Sequence, residues 1–76
     1  MSTRAFMLIE TESGKAEKVV DTLHKFSEVK SAYTVSGLYD VIAIVEKEDI
    51  SSLGKLLADE IDTIDGINVT VVSICV

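Results

Sequence analysis

The pattern of hydrophobic and polar positions divides the chain into six predicted elements. Four segments are short, rich in β-branched residues and bounded by polar residues or glycine, which is typical of strands. They are Arg4–Thr11, Val29–Val35, Tyr39–Glu46 and Ile67–Val76. Two segments between them carry apolar residues three and four positions apart, the spacing of one helix face. The predicted order is therefore β, α, β, β, α, β.

The two predicted helices differ in how their ends are marked. The first helix runs from Lys15 to about Ser27, with an apolar face formed by Ala16, Val19, Val20, Leu23 and Phe26. The second begins after Asp49, whose carboxylate can accept a hydrogen bond from the first helical turn. Its apolar face consists of Leu53, Leu56, Leu57, Ile61 and Ile64. Gly66 stands where a helix C-terminal glycine belongs.

A hairpin is predicted between the second and third strands. Gly37, within Ser36-Gly37-Leu38, can take the positive φ that tight hairpin turns require. Each half of the chain then consists of strand, helix and strand, which is the ferredoxin-like split βαβ unit. We predict an α+β fold of one domain, residues 1–76, in which a four-stranded antiparallel sheet carries both helices on one face.

The predicted sheet has two apolar faces, although two short helices cover only one. In the third strand Val41, Ala43 and Val45 face one side, while Ile42 and Ile44 face the other. The last strand likewise places Val69, Val71 and Cys75 opposite Val72, Ile74 and Val76. An apolar patch of this size is larger than monomers usually expose. We therefore expect a second copy to cover it, sheet against sheet.

Composition excludes several classes of function. The formal net charge of -6 is unfavourable for binding nucleic acid, because Lys and Arg must neutralise phosphates. No apolar run approaches the roughly 20 residues needed to span a bilayer, and no signal peptide is recognisable, so we expect a cytoplasmic protein. With one cysteine and one histidine, we expect neither a disulfide nor a metal site, and no cofactor. His24 is expected on the surface, and Cys75 as a core residue.

The remaining candidate chemistry lies in the predicted hairpin, at Ser36, Gly37, Tyr39 and Asp40. A carboxylate at Asp40 can accept hydrogen bonds from an ammonium group, and backbone N–H groups around Gly37 can receive a carboxylate. Together they would hold a zwitterion such as an amino acid. The alternative is that Ser36 and Asp40 only satisfy backbone groups of the turn.

Three segments carry a resemblance that covers nearly the whole chain. They are AFMLIET, VKSAYTVSGLYDVIAIVE and IDTIDGINVTVVSICV, and the more specific motifs within them are Gly37-Leu38-Tyr39-Asp40 and Ile64 to Thr70. In this order they resemble the effector-binding domain, also called the RAM domain, of the Lrp/AsnC (feast/famine) transcriptional regulators. The resemblance implies an αβ-sandwich dimer that assembles into octamer-like rings. It also implies amino-acid effectors bound between dimers, near Ser36, Gly37, Tyr39 and Asp40.

The resemblance also implies a mode of action. Family members usually carry an N-terminal helix-turn-helix domain, whereas this sequence begins directly at the first strand. We therefore expect a stand-alone domain that acts through assembly with full-length regulators of the family and not by binding DNA itself. Two alternatives stay open: a small dimeric ferredoxin-like enzyme, and a purely structural assembly protein with a vestigial ligand site. Against an enzyme, Arg4 is the sole arginine and no catalytic cluster is visible.

Overall fold

The computed structural model describes residues 2–76 and has the predicted order of elements. The strands are β1 (Thr3–Thr11), β2 (Val29–Thr34), β3 (Val41–Lys47) and β4 (Ile67–Ile74), and the helices are α1 (Ala16–Leu23) and α2 (Ile50–Leu56). All pairs of neighbouring strands are antiparallel, in the order β2-β3-β1-β4. The predicted ferredoxin-like fold is confirmed.

The hydrophobic core lies between the helices and one face of the sheet. The centre of the sheet contributes residues that pair across β1 and β3, with Ala5 opposite Val45, Met7 opposite Ala43 and Ile9 opposite Val41. All six are fully buried. The helices add the predicted apolar residues Val19, Leu23, Leu53, Leu56 and Ile61. Burial of this face, at about 25 cal/mol per Å² of apolar area, is the main force that holds helices and sheet together.

Both helices end differently from the sequence prediction. Helix α1 ends at Leu23 and not near Ser27. In the turn that follows, the hydrogen bonds span three residues and not four, since Lys25 N–H donates to Thr22 O and Phe26 N–H donates to Leu23 O. This turn packs Phe26 against the core. Helix α2 continues as a wider π-helical segment, Leu57–Ile61. Here Asp62 N–H donates to Leu57 O, five residues back, at 2.8 Å.

Two glycines define the ends of the loops. Gly37 has φ 136°, so the predicted positive φ is confirmed, although the connection from β2 to β3 spans residues 35–40 and is longer than a tight turn. The prediction that Gly66 ends α2 is wrong, because the helical segment stops at Ile61 and four residues intervene. Gly66 has φ 100°, and an added Cβ would lie 3.1 Å from Lys15 Cβ. Its role is to let the chain pass close to the start of α1.

The uncovered side of the sheet is apolar, as predicted. We call it the open face; its apolar side chains are Phe6, Leu8, Tyr33, Ile42, Ile44, Val69 and Val71. Phe6, Tyr33, Val69 and Val71 are exposed. Cys75 is also exposed, so its predicted place in the core is wrong. Cys75 lies one residue beyond the end of β4. Its backbone N–H donates to Arg4 O at 2.8 Å.

Candidate ligand-binding site

Asp40 connects the β2–β3 loop to the centre of the sheet. Its N–H donates to Ile9 O at 2.9 Å, and its carbonyl accepts the N–H of Val35 at 2.8 Å. Its carboxylate oxygen Oδ2 accepts the N–H of Thr11 at 2.8 Å. Asp40 is half-buried, and a backbone N–H that loses its partner in such a place is costly. The Asp40 carboxylate therefore satisfies a backbone N–H at the end of β1. This agrees with the alternative interpretation in that Asp40 satisfies a backbone group, although that group belongs to β1 and not to the turn.

A cleft of ≈ 420 Å³ opens beside this carboxylate. It is formed where β1 turns into α1, and its lining residues are Thr11, Glu12, Ser13, Gly14, Ala16, Glu17 and Asp40. Gly14 makes the turn possible, with φ 80°. The hydrogen bond to Thr11 uses Oδ2, so Oδ1 of Asp40 can serve a ligand. One predicted site residue, Asp40, thus lines an open cleft.

The other three predicted site residues do not line this cleft. Ser36 and Gly37 are exposed in the loop, and Tyr39 is half-buried between them and Asp40. Among residues 2–76, the N–H groups of residues 36–39 donate to no other backbone group. Binding of an anionic group by these N–H groups stays a prediction.

The half of the cleft contributed by residues 11–17 was not predicted from the sequence. Glu12-Ser13-Gly14 signals a turn, but nothing along the chain indicates that this turn lies next to a residue 29 positions away. Only the pairing of β1 with β3 brings Thr11 and Asp40 together. The same pairing brings three carboxylates, those of Glu12, Glu17 and Asp40, to the lining of one cleft.

Lys15 lies between Glu12 and Glu17 in the sequence, and its ammonium group is paired elsewhere. Its Nζ lies 3.0 Å from Asp65 Oδ2. That hydrogen bond, with the charge of the same carboxylate, raises the pKa of Lys15 and lowers the pKa of Asp65. The ion pair connects the start of α1 to the turn before β4. Because Lys15 pairs with Asp65, its charge is not paired with the carboxylates of the cleft.

Metal and membrane chemistry find no support in the described residues. Between residues 2 and 76 no three histidine, cysteine or carboxylate side chains come together as a metal site would require. Neither helix in this part of the chain has the length and apolar character needed to cross a bilayer.

Comparison with known proteins identifies the class of domain. The family model of the Lrp/AsnC ligand binding domain matches residues 4–76. The chain is 34% identical over 70 residues to the HTH-type transcriptional regulator PH0140 of Pyrococcus horikoshii, covering 92% of this chain and 44% of that relative. The chain thus spans less than half the length of the curated relatives that it matches. This protein belongs to the Lrp/AsnC family.

Two solved structures confirm the fold at the level of coordinates. PHS023 of Pyrococcus horikoshii is 36% identical with a TM-score of 0.92, and the match covers 100% of this chain and 90% of that one. AsnC of E. coli is 28% identical with a TM-score of 0.90, covering 96% of this chain and 50% of that one. The family resemblance derived from the sequence is therefore confirmed.

Proposed function

We propose that the domain senses an amino acid at the cleft beside Asp40 and acts in transcriptional regulation. Asp40 receives the ammonium group, and N–H groups of the loop formed by Ser36, Gly37 and Tyr39 receive the carboxylate. The observation that carries the proposal is the Thr11–Asp40 hydrogen bond. It holds a carboxylate rigidly at the rim of a cavity, and charge-assisted hydrogen bonds to such a group are strong because the geometry is prepared in advance.

The charge of the cleft supports a class of amino acids. Glu12 and Glu17 stand around the same cavity as Asp40, so a second negative charge on the ligand would be repelled. We therefore propose that neutral or basic amino acids bind in preference to aspartate and glutamate. An amino acid is a known ligand of one protein with this fold: the regulator NMB0573 of Neisseria meningitidis, 17% identical, forms a complex with L-Met.

We further propose that the domain works as an assembly. Covering several hundred Å² of the open face by a second copy contributes several kcal/mol at about 25 cal/mol per Å², before the cost of association. The resulting αβ-sandwich dimer would assemble further, into rings such as octamers, with effector sites between dimers. Full-length regulators of the family are the proposed partners, and the chain's charge of -6 disfavours direct contact with DNA.

The proposal describes a cytoplasmic regulatory domain and not an enzyme. The matched relatives are transcriptional regulators, and the family model is that of a ligand binding domain. A purely structural assembly protein is the second candidate, and the exposed apolar side chains of the open face favour it, because they need a partner whether or not the cleft is occupied.

A calorimetric and thermal-shift screen against the twenty amino acids tests the proposal. A ligand that binds only the folded state stabilises it, by about 2.7 kcal/mol at a concentration of 100 Kd. We expect saturable heat and a raised Tm for one or more neutral or basic amino acids, and none for aspartate or glutamate. If no amino acid binds while the protein still sediments as an oligomer, the assembly function replaces the sensory one.

A further inference from the structure

One side of the backbone of β2 is unpaired. The strand lies at the end of the sheet, with β3 as its only neighbour. Val35 N–H donates to Asp40 O, and hydrogen-bonding residues alternate along an antiparallel strand. The backbone groups of Ser31 and Tyr33 therefore face β3, and those of Ala32 and Thr34 face away from the sheet.

An open groove of ≈ 350 Å³ follows this free edge. Three residues of β2 and three of α1 line it: Ala32, Tyr33, Thr34, Glu17, Val20 and Asp21. Ala32 and Thr34 lie on the helix side of β2 and form the strand wall of the groove, and the half-buried Val20 of α1 adds an apolar part. The groove thus offers backbone hydrogen-bonding groups on one wall and side chains on the other.

The helix wall of the groove is negative. Glu17 and Asp21 are exposed and stand four residues apart on α1, where like charges repel. Neither takes part in the three ion pairs found within residues 2–76. A cationic group placed between them would relieve this repulsion.

We propose that the β2 groove binds an extended segment of another protein that carries lysine or arginine at every second position. The segment adds to β2 as a fifth strand and hydrogen-bonds to Ala32 and Thr34, which is a general mode of peptide recognition. Two residues of a strand advance about 6.6 Å. Glu17 and Asp21, four residues apart on a helix, are offset by about 6 Å. Successive basic side chains therefore meet successive carboxylates.

The occupant is not a second copy of this chain. The sequence has seven Lys and Arg residues, and no two of them stand two positions apart. No strand of a second copy therefore presents the required pattern. The groove also differs from the open face, which is apolar. Glu17 borders both the groove and the cleft beside Asp40, whereas Asp21 and the edge of β2 border the groove alone. The inference stands independently of amino-acid binding.

Peptide binding tests the proposal directly. The probe is a fluorescein-labelled nine-residue peptide of alternating lysine and valine, and its affinity is measured by fluorescence anisotropy at physiological salt. The Glu17→Gln/Asp21→Asn variant should bind the probe roughly threefold to tenfold more weakly, as expected for two exposed ion pairs. The matched control, Asp59→Asn/Glu60→Gln, also removes two helix carboxylates, but from a different cleft. It should leave the affinity unchanged.

Amide hydrogen exchange supplies a second measurement. A change in net charge alone would not slow exchange at particular N–H groups of β2. The bound peptide should slow exchange at Ala32 and Thr34, whose N–H groups gain acceptors. The proposal is overturned if the probe fails to bind, if both double variants lose affinity equally, or if protection appears on β4 instead. Protection of Ala32 and Thr34 that grows with protein concentration in the absence of peptide would also overturn it, because a second copy would then occupy the groove.

Discussion

Asp40 Oδ2 accepts the backbone N–H of Thr11 at 2.8 Å, so one carboxylate joins the β2–β3 loop to the last residue of β1. In the proposed function the same carboxylate binds an ammonium group. The two roles can be separated by substitution, because the hydrogen bond needs only an oxygen acceptor, whereas recognition of an ammonium group needs the negative charge.

Asp40→Asn should therefore keep the fold and lose the ligand. The amide oxygen can still accept the Thr11 N–H, while the lost charge-assisted bond, about 1.5–3 kcal/mol, weakens amino-acid binding roughly tenfold to a hundredfold. Asp40→Ala removes the acceptor as well and should lower the free energy of unfolding by about 1–3 kcal/mol. Calorimetry and urea unfolding measure the two effects. Unchanged binding in Asp40→Asn would remove Asp40 from the site.

Val71 and Val41 lie on opposite faces of the sheet and should respond differently to lysine. Val71 is exposed on the open face, so Val71→Lys should give a folded protein of lower oligomeric mass. Val41 is fully buried, and Val41→Lys places a charge in the core without a partner, which should unfold the domain. Sedimentation velocity with circular dichroism measures both. A wild-type protein that sediments as a stable monomer would refute assembly through this face.

Gly66 and Gly54 form a matched pair for backbone effects. Gly66→Ala should destabilise the domain, because φ is 100° and the new Cβ would lie 3.1 Å from Lys15 Cβ and Cδ. Gly54 lies within α2, and an added Cβ meets no atom within 4 Å. Gly54→Ala should stabilise by about 0.5–1 kcal/mol through helix propensity. Thermal unfolding of the two variants should show shifts of opposite sign.

Thr70 carries a buried hydroxyl without a partner among residues 2–76. It lies on the core side of β4, opposite Ile9. A buried polar group that makes no hydrogen bond costs about 1–3 kcal/mol, so Thr70→Val, which keeps the shape, should stabilise the fold. For a domain of this size each kcal/mol raises the Tm by about 4–8 °C. A lower Tm would indicate that the hydroxyl is hydrogen-bonded in the assembled protein.

Much of the fold could be predicted because local patterns and tertiary packing agree. Asp49 caps α2 as expected, with Ser52 N–H donating to its Oδ1 at 2.7 Å, and this bond lowers the pKa of the carboxyl. The alternation Val41 to Val45 correctly separated the buried from the uncovered face. The π-helical end of α2 could not be predicted, because Leu53, Leu57 and Ile61 stand four residues apart and fit a continuous α-helix equally well.

Only the part of the candidate site that lies in one continuous segment, residues 36–40, was predicted from the sequence. Positive φ at Gly37 and a carboxylate at Asp40 are properties of residue types, and they are visible in the sequence. The opposite wall, residues 11–17, belongs to a turn that no local signal connects to Asp40. The peptide groove was missed for the same reason, since Glu17 and Thr34 border one groove only when α1 packs on β2.

The sequence by itself determined the order of elements, the two apolar faces of the sheet and the family, because side-chain periodicity and motif spacing are written along the chain. Tertiary structure decided which face the helices cover, where the cleft lies and what Asp40 contacts. The physical reason is that a cleft is made by residues far apart in sequence, and only the register between β1 and β3, which aligns Ile9 with Val41, places Thr11 within hydrogen-bonding distance of Asp40.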